Sequence, residues 1–186
     1  MAFFRNRGTA VVITIVICVL ALLLGVRRSL VSQVARIEEQ FENGVYDEKA
    51  GYTLPSVADQ LEVRANASLG LISLANGFDD LSEAAQRVRS AREDLLNAET
   101  IAERSAANRA LTEACNELMP ALQQRLEADK DVSAFADYAS KMSNTARLIE
   151  TSGYNEQVSA FRSEILGSFP VSVLYRLAGV RAPASF

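Results

Sequence analysis

Histidine and tryptophan are absent from the 186 residues, and there are only two cysteines, four prolines and nine glycines. Without histidine there is no Ser-His-Asp or Cys-His nucleophile, and no imidazole for a metal. Cys18 lies inside an apolar run and Cys115 inside a polar-faced helical segment. No CxxC pair exists for zinc or redox work, so both read as reduced, partly buried thiols. So few prolines and glycines exclude a collagen-like or low-complexity chain. Cations are also in short supply, with 19 Lys and Arg against 23 Asp and Glu and a net charge of −4. Nucleic-acid affinity comes mainly from basic side chains on phosphates, so nucleic acid is not an expected partner. No glycine-rich run opens a helix, so there is no phosphate loop. No nucleophile stands with a general base, and the chain does not read as an enzyme. No cofactor is expected. The length suits one domain.

Charge is missing altogether from residues 8–26, GTAVVITIVICVLALLLGV. As a helix this run spans about 28 Å, close to the hydrocarbon thickness of a bilayer. Arg5 and Arg7 flank one end, Arg27 and Arg28 the other. The alternative is a cleaved signal peptide, but the run is longer than a signal core and LLLGVRRS has no small-x-small cleavage site. Ile17 before Cys18 also fails the pattern of a lipid-modified cysteine. The run reads as an uncleaved anchor. Arg5, Arg7 and the N-terminal amine balance Arg27, Arg28 and Arg36, so the positive-inside rule leaves orientation open.

Beyond the anchor the pattern is helical. Leu30, Val34, Ile37 and Phe41 share a face, and NGVYDEKAGYTLP at 43–55 is the strongest breaker cluster. One long helix is expected over 54–98, with Val57, Leu61, Ala65, Leu69, Ile72 and Ala75 in its apolar stripe. Gly77 would then cost about 1 kcal/mol within it. A break at Gly77 is the alternative. A third helix is expected over 99–128, kinked at Pro120, and a fourth over 131–168, bent at Ser152-Gly153 and stopped by Pro170. The fold class is therefore all-α, a single transmembrane helix followed by an antiparallel bundle of long helices. The divisions are a flank at 1–7, an anchor at 8–28, a bundle at 29–169 and an apolar tail at 170–186. Four helices of alternating direction would return that tail to the lipid surface, where its composition suits an interfacial segment. Packing on the end of the bundle is the other reading.

Several stretches resemble a known family. GLISLANGFDDLSEAAQRVRSAR (70–92) is similar to the LemA-family stretch N-L-V-x-T-V-K-G-Y that ends in A-R. YNEQVSAFRSEILGSFP (154–170) is similar to that family's Y-N-x-x-V-x-x-[YF]-N-x-x-I-x-x-F-P. Gly179 and Phe186 fall where the family has a terminal Gly-Phe segment and last aromatic, and Leu30-Val31 with Ile37 and Phe41 matches L-V followed by V-x-x-x-W. Val63-Arg64, Leu69-Gly70, Gly153 and Arg162 depart from the family pattern, and 43–54 reads as an insertion. The resemblance is to a divergent member. It implies a bacterial inner-membrane protein with a helical bundle, leaning towards the cytoplasmic side, and no established enzymatic activity. It also implies a structural or adaptor role, as in magnetosome membrane assembly. The alternative it implies is regulation of an envelope membrane protease or of envelope stress. The partners are then the lipid bilayer, membrane or envelope proteins, and a further copy of the chain.

Glu38, Glu39 and Glu42, and Asp79-Asp80, read as solvated faces, because a bundle dimetal site needs Glu-x-x-His pairs. Arg87, Arg89 and Arg92 read either as a salt-bridged surface or as a binding patch for a partner or anionic lipid. Tyr154 and Asn155 read either as core with a backbone partner or as a recognition surface. These five residues are the candidate partner surface.

Overall fold

A computed structural model describes residues 7–49 and 51–186. The chain is all-α with an amino-terminal apolar helix and a helical bundle. It divides into two compact units. One comprises Met1–Glu38 with Glu156–Pro183, the other Glu39–Asn155 with Ala184–Phe186.

Helix α1 runs unbroken over Arg7–Asn43. It ends at Gly44, whose φ of +80° places it in the left-handed region and whose N–H donates to the Gln40 carbonyl at 2.9 Å. Glycine reaches this conformation without a Cβ penalty. The breaker cluster then forms a two-stranded antiparallel hairpin of β1 (Tyr46–Asp47) and β2 (Tyr52–Thr53), with Tyr46 opposite Thr53.

Helix α2 spans Val57–Ala75, starting after the expected point because Ser56 caps it: its Oγ accepts from the Asp59 N–H at 3.0 Å. The single helix expected over 54–98 is not formed. Helix α2 ends at Ala75, a 3₁₀ turn covers Asp79–Leu81, and α3 covers Ser82–Asn97. Asn76-Gly77 with two following aspartates outweighs a continuous apolar stripe, because the break lets α3 fold back onto α2. The chain thus reverses once more than expected. A count of helix directions no longer returns the tail to the membrane.

Helix α4 covers Ile101–Gln123 and opens on a capping box. Thr100 Oγ1 accepts from the Glu103 N–H at 3.2 Å, and Glu103 Oε2 accepts from the Thr100 N–H at 2.9 Å. These bonds favour the ionised carboxylate, so the Glu103 pKa lies below its ordinary value. Helix α4 stops short of 128, three residues past Pro120. Helix α5 covers Asp129–Glu150 and α6 covers Tyr154–Phe161, separated at Ser152-Gly153 as expected. A π-helical turn at Arg162–Leu166 continues α6, and α7 spans Val171–Ala178.

In the bundle unit α2 is central. It packs on α5 and α3, and α3 packs on α4. The α2–α5 pairing is antiparallel: Arg64 of α2 reaches Met142 of α5, whereas Gly70, further along α2, faces Tyr138, earlier in α5. The buried stripe of α2 is Val57, Leu61, Arg64, Ala65, Ser68, Leu71, Ile72 and Ala75, a 3-4 repeat, and Ala67 beside it is buried as well. Leu69, expected inside, is 47% exposed. On α5, Thr145 is buried and its neighbour Ala146 is exposed.

Gly70 is where α5 comes closest. A Cβ there would overlap the Tyr138 ring. Gly70→Ala alone is expected to displace that ring and give no net stabilisation. In a Tyr138→Ala background the same change should stabilise by about 1 kcal/mol, the helix-propensity gain of alanine. Denaturant unfolding of the four combinations measures the difference.

Candidate functional site

Among the described residues, the apolar half of α1 has no protein cover. Val11, Val12, Ile15, Ile17, Leu20, Leu22 and Leu24 are each more than half exposed, reaching 67%. No residue of its most apolar stretch is buried. A contiguous apolar surface of this size marks a site of contact with something other than water. This is the one helix, among the described residues, long and apolar enough to cross a membrane.

The Tyr154-Asn155 pair holds the last residues of the chain. Tyr154 is 1% exposed, and its hydroxyl donates to the Ala184 carbonyl at 2.7 Å. Asn155 Nδ2 donates to the Phe186 carbonyl at 2.8 Å, while the Phe186 N–H donates to Asn155 Oδ1 at 2.9 Å. The side-chain amide thereby mimics one rung of a β-ladder. The Phe41 ring lies 5.4 Å from Tyr154, edge-on, and 5.5 Å from Phe186. Arg104 caps the cluster, 5.7 Å above Phe41 and 2.7 Å from Glu42. Of the two readings of Tyr154, burial with a backbone partner describes its position. Asn155 is exposed, with its amide directed to Phe186.

The three arginines of α3 do not share a direction. Arg87 turns towards α4 and pairs with Glu83 at 2.8 Å and Glu117 at 3.0 Å. Arg89 donates to Gln86 Oε1 at 2.7 Å. Arg92 lies half-buried against α2, with Nε donating to the Ala65 carbonyl at 2.9 Å. Arg87 and Arg89 remain on the surface, and Arg92 ties two helices together.

Sequence reasoning missed Arg64. It is 2% exposed, with Nη1 donating to the Met142 carbonyl at 2.9 Å and Nη2 to Thr112 Oγ1 at 2.6 Å. Its Nε has no hydrogen-bond partner, and no carboxylate pairs with it among the described residues. Burial lowers its pKa from the ordinary value. Its place in the 3-4 stripe of α2 was the available signal.

Cys115 lies near this guanidinium and is fully buried. Burial pushes its thiol from 9.0 up to about 11, against a smaller downward pull from Arg64. The unfolded chain releases the Cys115 proton near pH 9, and the folded chain retains it until about 11. Stability is therefore expected to fall as pH rises across that window, by about 1.4 kcal/mol per unit, and Cys115→Ala should flatten the slope. Urea unfolding of both proteins at several pH values in the window checks this.

Among the described residues no three or more Asp, Glu or Cys side chains stand where they could share a metal ion. Compared with family models, curated proteins and solved structures, the chain matches none.

Proposed function

We propose that this protein is a membrane-anchored structural or adaptor protein of the bacterial inner membrane. The apolar half of α1 is its tether. The bundle sits on the cytoplasmic side and presents charged helix faces, Arg87 and Arg89 among them, to membrane or envelope proteins. Organisation of the membrane is the role that the LemA resemblance implies, and membership of that family is part of the proposal. The observation that carries the reading is the uncovered apolar surface of α1 between Val11 and Leu24. Burying it in acyl chains removes from water an area that nothing among the described residues covers.

Carbonate washing of membranes tests the tether. The wild-type chain should stay with the lipid. Leu20→Arg with Leu22→Arg should release it, since each arginine costs about 3 kcal/mol at the centre of a spanning helix. Release of the wild-type chain would remove the reading. The side is read by an impermeant maleimide on Ser90→Cys, an exposed position of α3. Cys115 stays silent because it is buried. Labelling only after spheroplasts are lysed supports the cytoplasm, and labelling before lysis rejects it.

A further inference from the structure

The unit formed by Met1–Glu38 and Glu156–Pro183 carries a second apolar surface. Val173 and Leu177, four residues apart, lie on one side of α7 and are 47% and 67% exposed, and Phe169, in the turn before α7, is 85% exposed. Arg176 stands exposed on the same side. Gly179, Val180 and Arg181, directly after α7, line a cleft of about 290 Å³ with Arg27, Val31, Val34, Ala35 and Glu38 of α1. That cleft occupies the turns of α1 immediately beyond the uncharged run, within about 18 Å of its end. The tail is thus fixed beside the level at which a spanning α1 leaves the hydrocarbon.

Of the bundle's arginines, Arg87, Arg104 and Arg125 meet a carboxylate, and Arg64, Arg89, Arg92, Arg109 and Arg147 meet none among the described residues. Arg27, Arg28, Arg176 and Arg181 make no ion pair or side-chain hydrogen bond among the described residues, and Glu38 is the sole carboxylate in the cleft. Unpaired arginines interleaved with exposed apolar side chains, next to a spanning helix, match the layer where acyl chains meet anionic headgroups.

We propose that α7 is an interfacial helix: Phe169, Val173 and Leu177 enter the bilayer that α1 spans, and Arg176 and Arg181 bind anionic lipid headgroups beside Arg27 and Arg28. This rests on the tether proposed above and adds a second, lipid-selective contact to it.

The chain has no tryptophan, so one introduced indole reports one position. The full chain is reconstituted in vesicles of phosphatidylcholine mixed with phosphatidylglycerol, with nitroxide lipids labelled either deep in the acyl chain or near the headgroup. Leu177→Trp and, separately, Phe169→Trp should shift to the blue and lose most of their emission to the shallow nitroxide. Leu96→Trp, on an exposed position of α3, should respond to neither, and Leu20→Trp should be quenched by the deep one. In the Leu177→Trp chain, Arg176→Gln and Arg181→Gln should each lower the ratio of lipid-docked to undocked tail about fivefold. Equal quenching in pure phosphatidylcholine would overturn the anionic selectivity. If both tail indoles behave like Leu96→Trp while Leu20→Trp is quenched, the interfacial helix is disproved and the tether stands. If Leu20→Trp also escapes quenching, the tether itself has failed.

Discussion

Arg64→Ala is expected to cost the bundle about 3 kcal/mol, whereas Arg64→Met should fall within about 1 kcal/mol of wild type. The guanidinium is buried between α2, α4 and α5 with two hydrogen bonds, an orphan Nε and no opposite charge. Hydrogen bonds made by a charged group contribute about 1.5–3 kcal/mol each. Against them stands an effective desolvation penalty of several kcal/mol for a buried ion. The two nearly cancel, so the net contribution of Arg64 is the volume it fills. Alanine leaves that volume empty, and methionine refills most of it without a charge. Denaturant unfolding in detergent, followed by circular dichroism, separates the outcomes. A methionine variant as weak as the alanine one would show instead that the bonds to Met142 and Thr112 hold the helices in place.

Gly44→Ala is expected to destabilise by about 3 kcal/mol, through two costs that add. The left-handed conformation at φ +80° penalises any Cβ. The new methyl would also overlap the Leu54 main-chain carbonyl oxygen, and main chain cannot swing aside as a side-chain tip can. Leu54 is tied back by its N–H to the Val45 carbonyl at 2.8 Å, so relief requires opening the hairpin. Gly51→Ala serves as the comparison. Gly51 shares the positive φ, at +75°, but an added Cβ there has nothing within 4 Å. It should show only the conformational part, about 1–2 kcal/mol. Equal losses at both positions would reject the overlap with Leu54.

Features set by composition over many residues were legible in advance. Nineteen residues without charge read as a helix able to cross a bilayer. Recurring apolar positions read as a bundle, and Ser152-Gly153 as a break. Features set by a balance of small terms were not. Gly77 inside a helix costs only about 1 kcal/mol. Nothing local shows that α3 gains more by packing back on α2 than by extending it. Arg64 was passed over because a charged residue is normally assigned outside, although its spacing from Leu61 and Ser68 puts it on the inner face. The contacts of Tyr154 and Asn155 with Ala184 and Phe186 cross about thirty residues, beyond any periodic pattern. Their partner could only come from the fold. The turn of Arg92 against α2 was hidden for the same reason, since α2 was expected to continue into α3.

The shielding of Cys115 has a consequence for where such a bundle can operate. A thiol that is fully buried and ionises only near pH 11 supplies almost no thiolate at neutral pH. Cys18, the other sulfhydryl, lies in the apolar stretch of α1. Glutathione and disulfide exchange enzymes both act through water-borne thiolates. Within the bundle, Cys115 is therefore poorly placed for thiol–disulfide exchange in either an oxidising or a reducing compartment.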